Sequence, residues 1–454
     1  MIANMTEDQL LVLVIKYIKE AKRGALQQLL DELHPYDVAQ LYRGLPEKHH
    51  HKFLTFLTPD QIADLIQELE YEMQMEILHR LGIERSSKVM NLMENDDLAD
   101  LLNELSVDKI QEFLNVMKKE DSQKIRSLLS YPADTAGGLM TNEFVWIRDD
   151  QTVRQAVDKL KEYASFSENI YYLYVINDDK KLVGVVSYRD LLIADVNDKI
   201  EDLMFSRVVS VQVDTDQEQV VQIIERYDFI AVPVVDENNT LLGIITVDDA
   251  IDVVIREANE DIERISAVGR DIDFNTKAIT ASVRRLPWLI LLLFIGLVSG
   301  SIISGFEETL EQVVALIFFM PMIAGMTGNT GTQSLAVVVR GIVTTDVDRK
   351  TVIRLVLREL RVGIIIGITC GILISFIAFF WRQDLVLGLV VGSSLLLTLI
   401  IGTLAGTIIP LTLYRFGIDP AVASGPLITT LNDIFSLLIY FGIATTFLHH
   451  LSGM

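Results

Sequence analysis

The 454-residue chain is too long for one domain, and its formal net charge of −23 is spread very unevenly. Residues 1–280 hold 29 Lys and Arg against 53 Asp and Glu, whereas residues 281–454 hold 10 against 9. The acidic first part is poorly suited to nucleic acid, whose phosphates need Lys and Arg, and well suited to attracting cations. The single cysteine, Cys370, excludes an intrachain disulfide and a metal–thiolate cluster.

The first 130 residues show the three- and four-residue spacing of short amphipathic helices. Three segments share one template, and their starts lie 24 and then 36 residues apart: Asp37–Leu45, Gln61–Leu69 and Asp97–Leu105. Helices that cannot bury an apolar face alone do so against the next repeat. The pattern therefore predicts a superhelical array of short helices.

After Pro132 the pattern changes to alternating apolar residues with isolated glycines, and it occurs twice. Residues 174–190 align with residues 233–249, so that Gly184 and Gly243 lie 59 positions apart. A strand, turn, strand and helix repeated in this way predict a duplicated α/β module. The pair resembles a tandem of cystathionine-β-synthase (CBS) domains, which pack into one regulatory unit and often carry adenine nucleotides.

The pattern of the segment after the second module predicts an acidic helix that connects this module to the rest of the chain. Glu257, Glu260 and Asp261 fall on one face, where like charges repel by a few tenths of a kcal/mol per pair. We expect a cationic group or ion to cover this face. An ordinary solvated acidic helix is the alternative.

Five apolar runs beyond residue 280 are long enough to cross a bilayer, which takes about 20 residues. They are Pro287–Phe306, Val313–Val339, Val362–Trp381, Leu385–Tyr414 and Ala421–Leu448. Basic residues before the first run and between the second and third predict that these ends are cytoplasmic. The topology then leaves the acidic domains inside the cell and the C-terminus outside.

The last run contains one formal charge, Asp433. A carboxylate inside a membrane segment costs roughly 3 kcal/mol on insertion scales, so such residues usually face a water-filled path or a cation. The second run has an unusual centre, Pro321-Met-Ile-Ala-Gly-Met-Thr-Gly-Asn-Thr-Gly-Thr-Gln-Ser334, which suggests a loosened helix or close helix packing. No second acid lies inside the five runs, so a proton relay is not indicated.

Three motifs in chain order resemble those of the MgtE family of magnesium channels. They are Asp134-Thr-Ala-Gly-Gly-Leu-Met140, the glycine-rich segment of the second run, and Pro426-x-x-Thr-Thr-x-x-Asp433 in the last run. The resemblance covers the whole chain. It implies no enzymatic activity but a homodimer in the cell membrane, surrounded by lipid, whose last spans line a Mg2+ path that closes when cytoplasmic Mg2+ is high.

The resemblance and the charge pattern together give a multidomain fold and a set of candidate metal ligands. The predicted domains are a helical N domain (1–130), two CBS domains (131–199 and 200–250), an acidic connecting or plug helix (251–280) and a five-helix transmembrane domain (281–454). The pore candidates are Asp433, Asn329, Thr429 and, near the cytoplasmic mouth, Asp419. The candidates for regulatory Mg2+ are Glu94, Asp97, Asp214, Asp216, Glu218, Asp248, Asp249, Asp252, Glu257, Glu260 and Asp261. Repulsion among the regulatory acids predicts an assembly that is loose at low Mg2+ and compact when Mg2+ neutralises it.

A nucleotide is a second expected ligand of the CBS pair. Two segments fit the Ser/Thr-x-x-Asp pattern with which CBS domains hold a ribose, and a tyrosine is available to stack on an adenine. The residues expected to bind ATP are Tyr171, Ser187, Arg189, Asp190, Thr246 and Asp249.

Two other functions remain open at the level of sequence. The chain could be a membrane Mg2+ sensor that does not conduct, or an ion-coupled divalent cation exchanger. A sensor has no need of a lone aspartate facing a Gly- and Asn-rich span, which favours transport. An exchanger needs a coupling site, and no such pattern is visible.

Overall fold

A computed structural model of the chain describes residues 5–163, 169–268, 272, 276–344 and 348–451. The chain forms two compact units, Met1–Ile255 and Arg256–Met454. The first unit contains ten N-terminal helices and two small α/β modules. The second consists of helices. The predicted multidomain class, with a helical N domain, two α/β modules and a region of long apolar helices, is confirmed.

The N-terminal region is a stack of short helices, each about three turns long. Their starts follow local signals: Thr6 and Thr58 form capping boxes with the glutamine three residues on, and Pro35 and Pro59 occupy the first helical turn. The helices are α1 (Glu7–Lys19), α2 (Arg23–Asp31), α3 (Pro35–Gly44), α4 (Glu47–Phe56), α5 (Pro59–Gln67), α6 (Tyr71–Leu81), α7 (Ile83–Met90), α8 (Asn95–Asn103), α9 (Val107–Val116) and α10 (Lys119–Leu128).

Helices of the N-terminal region stack on their second neighbours. Helix α3 packs on α5, α5 on α7, and α7 on α9, so each helix contacts its second neighbour along the chain. The three template segments supply α3, α5 and α8, and their apolar positions form one continuous core with buried Leu41, Leu65 and Leu101. The array predicted from the repeat is confirmed.

Each α/β module contains a three-stranded sheet in which the first strand is parallel and the third antiparallel to the middle one. Helices flank the strands and complete each module. The elements are α11 (Ala136–Leu139), β1 (Phe144–Arg148), α12 (Val153–Tyr163), β2 (Asn169–Ile176), β3 (Leu182–Ser187), α13 (Tyr188–Ile193), α14 (Ile200–Leu203), β4 (Val211–Gln212), α15 (Gln217–Tyr227), β5 (Ala231–Val235) and β6 (Leu241–Thr246).

The acidic connecting helix begins earlier than the boundary predicted at residue 251. Helix α16 (Val247–Ile265) follows β6 without an intervening loop. Thr246, the residue before the helix, donates its hydroxyl to Asp249 Oδ2 and so stabilises the start of the helix. The remaining elements are α17 (Ala278–Gly305), α18 (Glu307–Gln312), α19 (Ala315–Thr344), α20 (Arg349–Arg382), α21 (Leu385–Arg415), a 3-10 helix (Pro420–Val422), α22 (Gly425–Thr446) and α23 (Leu448–Leu451).

Four of the described helices are long and apolar enough to cross a membrane: α17, α20, α21 and α22. Helices α20 and α21 contain the third and fourth predicted spans, and α17 and α22 cover most of the first and fifth. The second predicted span lies in α19, which is 30 residues long but carries the Gly-, Asn- and Thr-rich segment that lowers its hydropathy. Crossing by α19 therefore stays a prediction.

The glycine-rich centre of α19 is a continuous helix, so the expectation of a loosened helix there was wrong. Close packing accounts for two of its glycines. A Cβ on Gly331 would overlap the Asn432 side chain of α22, and a Cβ on Gly328 would lie 2.8 Å from Thr429 Cγ2. Gly325 has open space around its Cα, so packing does not explain it. The motif brings α19 close to α22, which carries Asp433.

Candidate functional site: a membrane carboxylate and two acidic clusters

Asp433 lies nine residues into α22 and is half-buried. Its neighbour Asn432 is fully buried, and Asn432 Nδ2 donates a hydrogen bond of 3.4 Å to the Thr327 carbonyl of α19. This contact and the fit of Asn432 against Gly331 fix the rotation of α22. Asp433 follows Asn432 directly and lies one turn beyond Thr429, which packs against Gly328 of α19.

The polar side chains of α19 divide between two faces. Thr327 and Thr330 are buried, and each donates its hydroxyl to a carbonyl of its own helix, at 2.7 and 2.9 Å. Asn329 and Gln333, four residues apart, share an exposed face. In a bilayer such a face requires water or another protein surface, because hydrocarbon cannot satisfy amide groups.

The four predicted pore residues occupy three positions. Thr429 and Asp433 lie one turn apart on α22, both half-buried. Asn329 is on the exposed face of α19. Asp419 lies before α22, where its Oδ1 accepts a 2.7 Å hydrogen bond from the Ala421 amide and starts the 3-10 helix.

The connecting helix contacts Asp419 through a residue that the sequence analysis missed. Arg264, in the last turn of α16, forms ion pairs with both Glu260 and Asp419. The next residue, Ile265, packs against the buried cluster that includes Ala421 and Ile428. The end of α16 is therefore docked beside the start of α22.

The predicted acidic face of α16 is half-buried at Glu257, Glu260 and Asp261. Burial, followed by the charge of Glu257, raises the pKa of Asp261, and Arg264 opposes this rise. Arg264 supplies part of the cationic cover expected for this face. The alternative of a fully solvated acidic helix does not describe it.

A second acidic cluster lies within the first unit, where α8 of the N domain meets the second module. Burial, and then the charges of Asp97, Glu143 and Asp249, hold the pKa of Glu94 at about 7. Burial and the charge of Asp248 hold the pKa of Asp249 at about 7, against the opposing hydrogen bond from Thr246.

The cluster joins acids that are distant in sequence. Burial raises the pKa of Asp97, with smaller contributions from Asp252 and Asp248, while a 2.6 Å hydrogen bond from Gln67 opposes the rise. Glu143, which the sequence analysis did not select, accepts a 3.2 Å hydrogen bond from the Asn95 amide. The structure thus groups five predicted regulatory acids with one additional glutamate: Glu94, Asp97, Asp248, Asp249, Asp252 and Glu143.

Asp214, Asp216 and Glu218 have a simpler local role. All three are exposed at the start of α15, and Asp216 caps that helix by accepting a 2.9 Å hydrogen bond from the Glu218 amide. Among the residues that the structure describes, no three acidic, histidine or cysteine side chains are close enough to hold a metal ion directly. The charges within each acidic cluster repel one another.

The predicted nucleotide residues form two matched caps. Ser187 Oγ donates to Asp190 Oδ2 at 2.6 Å, and Thr246 Oγ1 donates to Asp249 Oδ2 at 2.6 Å. Both pairs thus begin a helix after a strand, which is sufficient structural reason for the motif. Arg189 and Tyr171 are exposed, the latter by 60%.

Comparison with known families divides the chain in the same order. The divalent cation transporter model of the MgtE family matches residues 320–443, the MgtE intracellular N domain matches residues 33–134, and CBS domains match residues 136–197 and 200–256.

Two curated relatives and one solved structure extend the match. The magnesium transporter MgtE of Bacillus subtilis strain 168 is 55% identical over 99% of this chain and 100% of its own, and that of Enterococcus faecalis is 43% identical over 96% and 97%. A crystal structure of the cytosolic domain of the Mg2+ channel MgtE in complex with ATP is 35% identical over 54% of this chain and 99% of its own, with a TM-score of 0.51. The chain is a multi-pass membrane protein that belongs to the MgtE family of magnesium transporters.

Proposed function

We propose that this protein is a Mg2+ channel that imports Mg2+ across the cell membrane. The observation that carries the proposal is the half-buried carboxylate of Asp433, the one formal charge on α22, held in place by Asn432. Mg2+ sheds its water reluctantly, so carboxylate and amide oxygens around a wide path can guide the hydrated ion. An inside-negative potential of 100 mV favours entry of a divalent ion by about 4.6 kcal/mol, so passive flow suffices.

A second copy of the chain completes the path. The exposed amides of Asn329 and Gln333 support this proposal, since a single copy would turn them toward lipid. Around a twofold axis, two copies of Asp433 can face one ion. The same proposal places the acidic domains in the cytoplasm and the end of α22 on the outer side.

The experiment that tests the function is Mg2+ uptake by liposomes containing the purified full-length protein. We expect uptake down the Mg2+ gradient that needs no counter-ion and increases with an inside-negative potential. A protein that binds Mg2+ without uptake would be a sensor, and uptake that requires an opposing ion gradient would identify an exchanger.

We further propose that cytoplasmic Mg2+ closes the path by neutralising the two acidic clusters. The raised pKa values of Glu94 and Asp249 support this, because they report carboxylates whose charges are unfavourable in the compact arrangement. Moving such an equilibrium from 1:99 to 99:1 takes about 5.5 kcal/mol of differential binding. Several weak Mg2+ sites supply this more readily than one tight site.

Arg264 has a defined part in this gate. Its guanidinium forms ion pairs with Glu260 and Asp419, two of the acids proposed to bind regulatory or entering Mg2+. A cation must displace Arg264 before it can use both carboxylates. We infer that Arg264 competes with Mg2+ and raises the Mg2+ concentration needed for closure.

Replacement of Arg264 by glutamine is expected to lower the Mg2+ concentration that gives half-maximal closure by about fivefold, the equivalent of roughly 1 kcal/mol for a partly buried ion pair. The measurement is flux against Mg2+ on the cytoplasmic side. Arg226→Gln, at an exposed arginine of the second module, is the control for loss of one positive charge. A higher closing concentration in Arg264→Gln would mean that the ion pair itself holds the closed state.

ATP is a proposed second ligand of the CBS pair. The ATP complex of the related cytosolic domain supports this proposal, as do the two matched Ser/Thr-x-x-Asp caps. The exposed ring of Tyr171 is available for an adenine. Asp249 belongs to both the nucleotide set and the acidic cluster, so ATP and Mg2+ would influence one another there.

Calorimetry with ATP on the detergent-solubilised full-length protein is expected to show saturable binding that is about tenfold weaker in Tyr171→Ala, since base stacking contributes about 1–3 kcal/mol. Tyr36→Ala, which removes an equally exposed tyrosine from the N domain, should bind like the wild type. Equal affinity in the Tyr171 and Tyr36 variants would place the adenine elsewhere.

A further inference from the structure

Glu359 is a buried acid on a basic part of helix α20. The residue is only 5% exposed, while the neighbouring arginines Arg354, Arg358 and Arg361 are exposed. The helix begins at Arg349, so Glu359 continues directly into the third apolar run. The five apolar runs contain no acid besides Asp433, but helix α20 carries Glu359 just before the third run.

Both carboxylate oxygens of Glu359 are engaged. Arg358 donates to Oε1 from Nε at 3.1 Å and from Nη2 at 2.7 Å, while Ser334 Oγ of α19 donates to Oε2 at 3.1 Å. Burying a carboxylate is unfavourable unless it is paired and hydrogen-bonded, and here it is both. Arg358 is exposed. Its aliphatic stem stays at the helix surface, while its guanidinium contacts the carboxylate of Glu359.

Ser334 differs from three threonines of the same helix. Thr327, Thr330 and Thr332 each donate to a carbonyl within α19. Ser334, which is buried, donates to a different helix instead. The Glu359–Ser334 hydrogen bond thus joins α20 to the end of the glycine-rich segment.

The joined turn of α19 carries the exposed amides. Ser334 follows Gln333 directly, and Asn329 lies one turn before Gln333 on the same face. Fixing Ser334 fixes the rotation of this turn, because its hydrogen bond ties α19 to a second helix. We propose that Glu359 is a positioning residue for transport, which acts through Ser334 to hold Gln333 and Asn329 toward the Mg2+ path.

This inference rests on the proposed transport function. Its test uses liposome flux of the full-length protein, with the external Mg2+ concentration at half-maximal flux and the Mg2+/Ca2+ flux ratio as readouts. Ser334→Ala, Glu359→Ala and their double variant should each raise the half-maximal concentration by about fivefold to tenfold, the equivalent of one typical hydrogen bond. The double variant should be no worse than either single variant.

Two further variants separate positioning from other roles. Glu359→Gln keeps an acceptor for Ser334 and should stay within about twofold of the wild type. Ser394→Ala removes a buried hydroxyl that bonds only within its own helix, at 2.7 Å to the Val390 carbonyl, and is the control for loss of a buried serine. If Glu359→Ala fails to insert, Ser334→Ala and Glu359→Gln still give the comparison.

Three results would overturn the inference while wild-type flux is intact. Ser334→Ala could match Ser394→Ala in both readouts. The single variants could lower only the amount of inserted protein or its melting temperature, which would indicate a structural role. Glu359→Gln could raise the half-maximal Mg2+ concentration as much as Glu359→Ala does, which would mean that the charge rather than the hydrogen bond is decisive. Absence of wild-type flux would contradict the proposed function instead.

Discussion

Replacement of Asp433 by asparagine is expected to reduce Mg2+ flux by roughly a hundredfold, since a membrane carboxylate is worth about 3 kcal/mol of interaction with a cation or its water. Asparagine has nearly the same shape and keeps one carbonyl oxygen, so the substitution removes the charge with little change in packing. Flux should be measured in liposomes at equal protein content, with the melting temperature as a check on folding.

Two controls make the Asp433 result specific. Glu308→Gln removes one negative charge from an exposed position of the short helix α18 and should leave flux within about twofold of the wild type, since exposed charges are strongly screened. Asn432→Ala tests the support of Asp433: it removes the contact with Thr327 and leaves the carboxylate in place. Intact flux in Asp433→Asn would remove this residue from the path.

The expected loss follows from the way α22 is held. Asn432 fits against Gly331, so the helix cannot rotate to take Asp433 out of its position without separating α19 from α22. Gly402 of α21 contributes to the same packing, because a Cβ there would lie 2.9 Å from the Thr327 carbonyl. We therefore expect Asn432→Ala to lower flux partially, through loss of orientation rather than charge.

Much of the fold could be predicted because its signals are local. Repeated templates marked the helical stack, the duplicated strand pattern marked the two modules, and long apolar runs marked four membrane-length helices. These features depend on residues close in sequence. The helix ends were harder to predict. For example, α20 begins at Arg349, because a helix can continue into polar sequence beyond the bilayer.

The candidate site was less predictable because its contacts join distant segments. Asp433 stood out as a lone charge, but nothing local indicates that Arg264 reaches Asp419 or that Ser334 donates to Glu359. In the sequence, nothing distinguishes Asn432 from the other polar residues of the last run; its role follows only from its burial against Gly331. Glycine-rich sequence suggested both a loosened helix and close packing, and only three-dimensional neighbours could decide between them.

If the proposed gate exists, the acidic cluster of the first unit is expected to make its closure depend on pH as well as on Mg2+. Glu94 and Asp249 have pKa values of about 7 in the compact unit, above the values of about 4 that such groups have in an unfolded chain. The compact arrangement therefore binds more protons than the separated one. Its stability is fully present below about pH 4 and is lost as the pH rises through about 7, when both carboxylates become charged.

At pH 8 without Mg2+, the contact between α8 and the second module is therefore expected to loosen, and millimolar Mg2+ or a pH of 5.5 should each restore it. The effects of the two raised pKa values are not additive, because Glu94 and Asp249 share part of their repulsion, and solvent screens the exposed carboxylate of Glu94. The measurement is protease protection of the full-length protein in detergent, with cleavage mapped between α8 and β6.

Asp97→Asn combined with Asp249→Asn should make this contact protease-resistant at pH 8 without Mg2+, because asparagine keeps the size of the side chain and removes the repelling charge. Asp97 lies among the charges that raise the pKa of both Glu94 and Asp249, so the two substitutions relieve the centre of the cluster. Asp179→Asn, in an exposed turn of the first module, is the matched control and should respond to Mg2+ like the wild type. Protection that is equal at pH 5.5 and pH 8, with or without Mg2+, would exclude charge repulsion as the force that opens the gate.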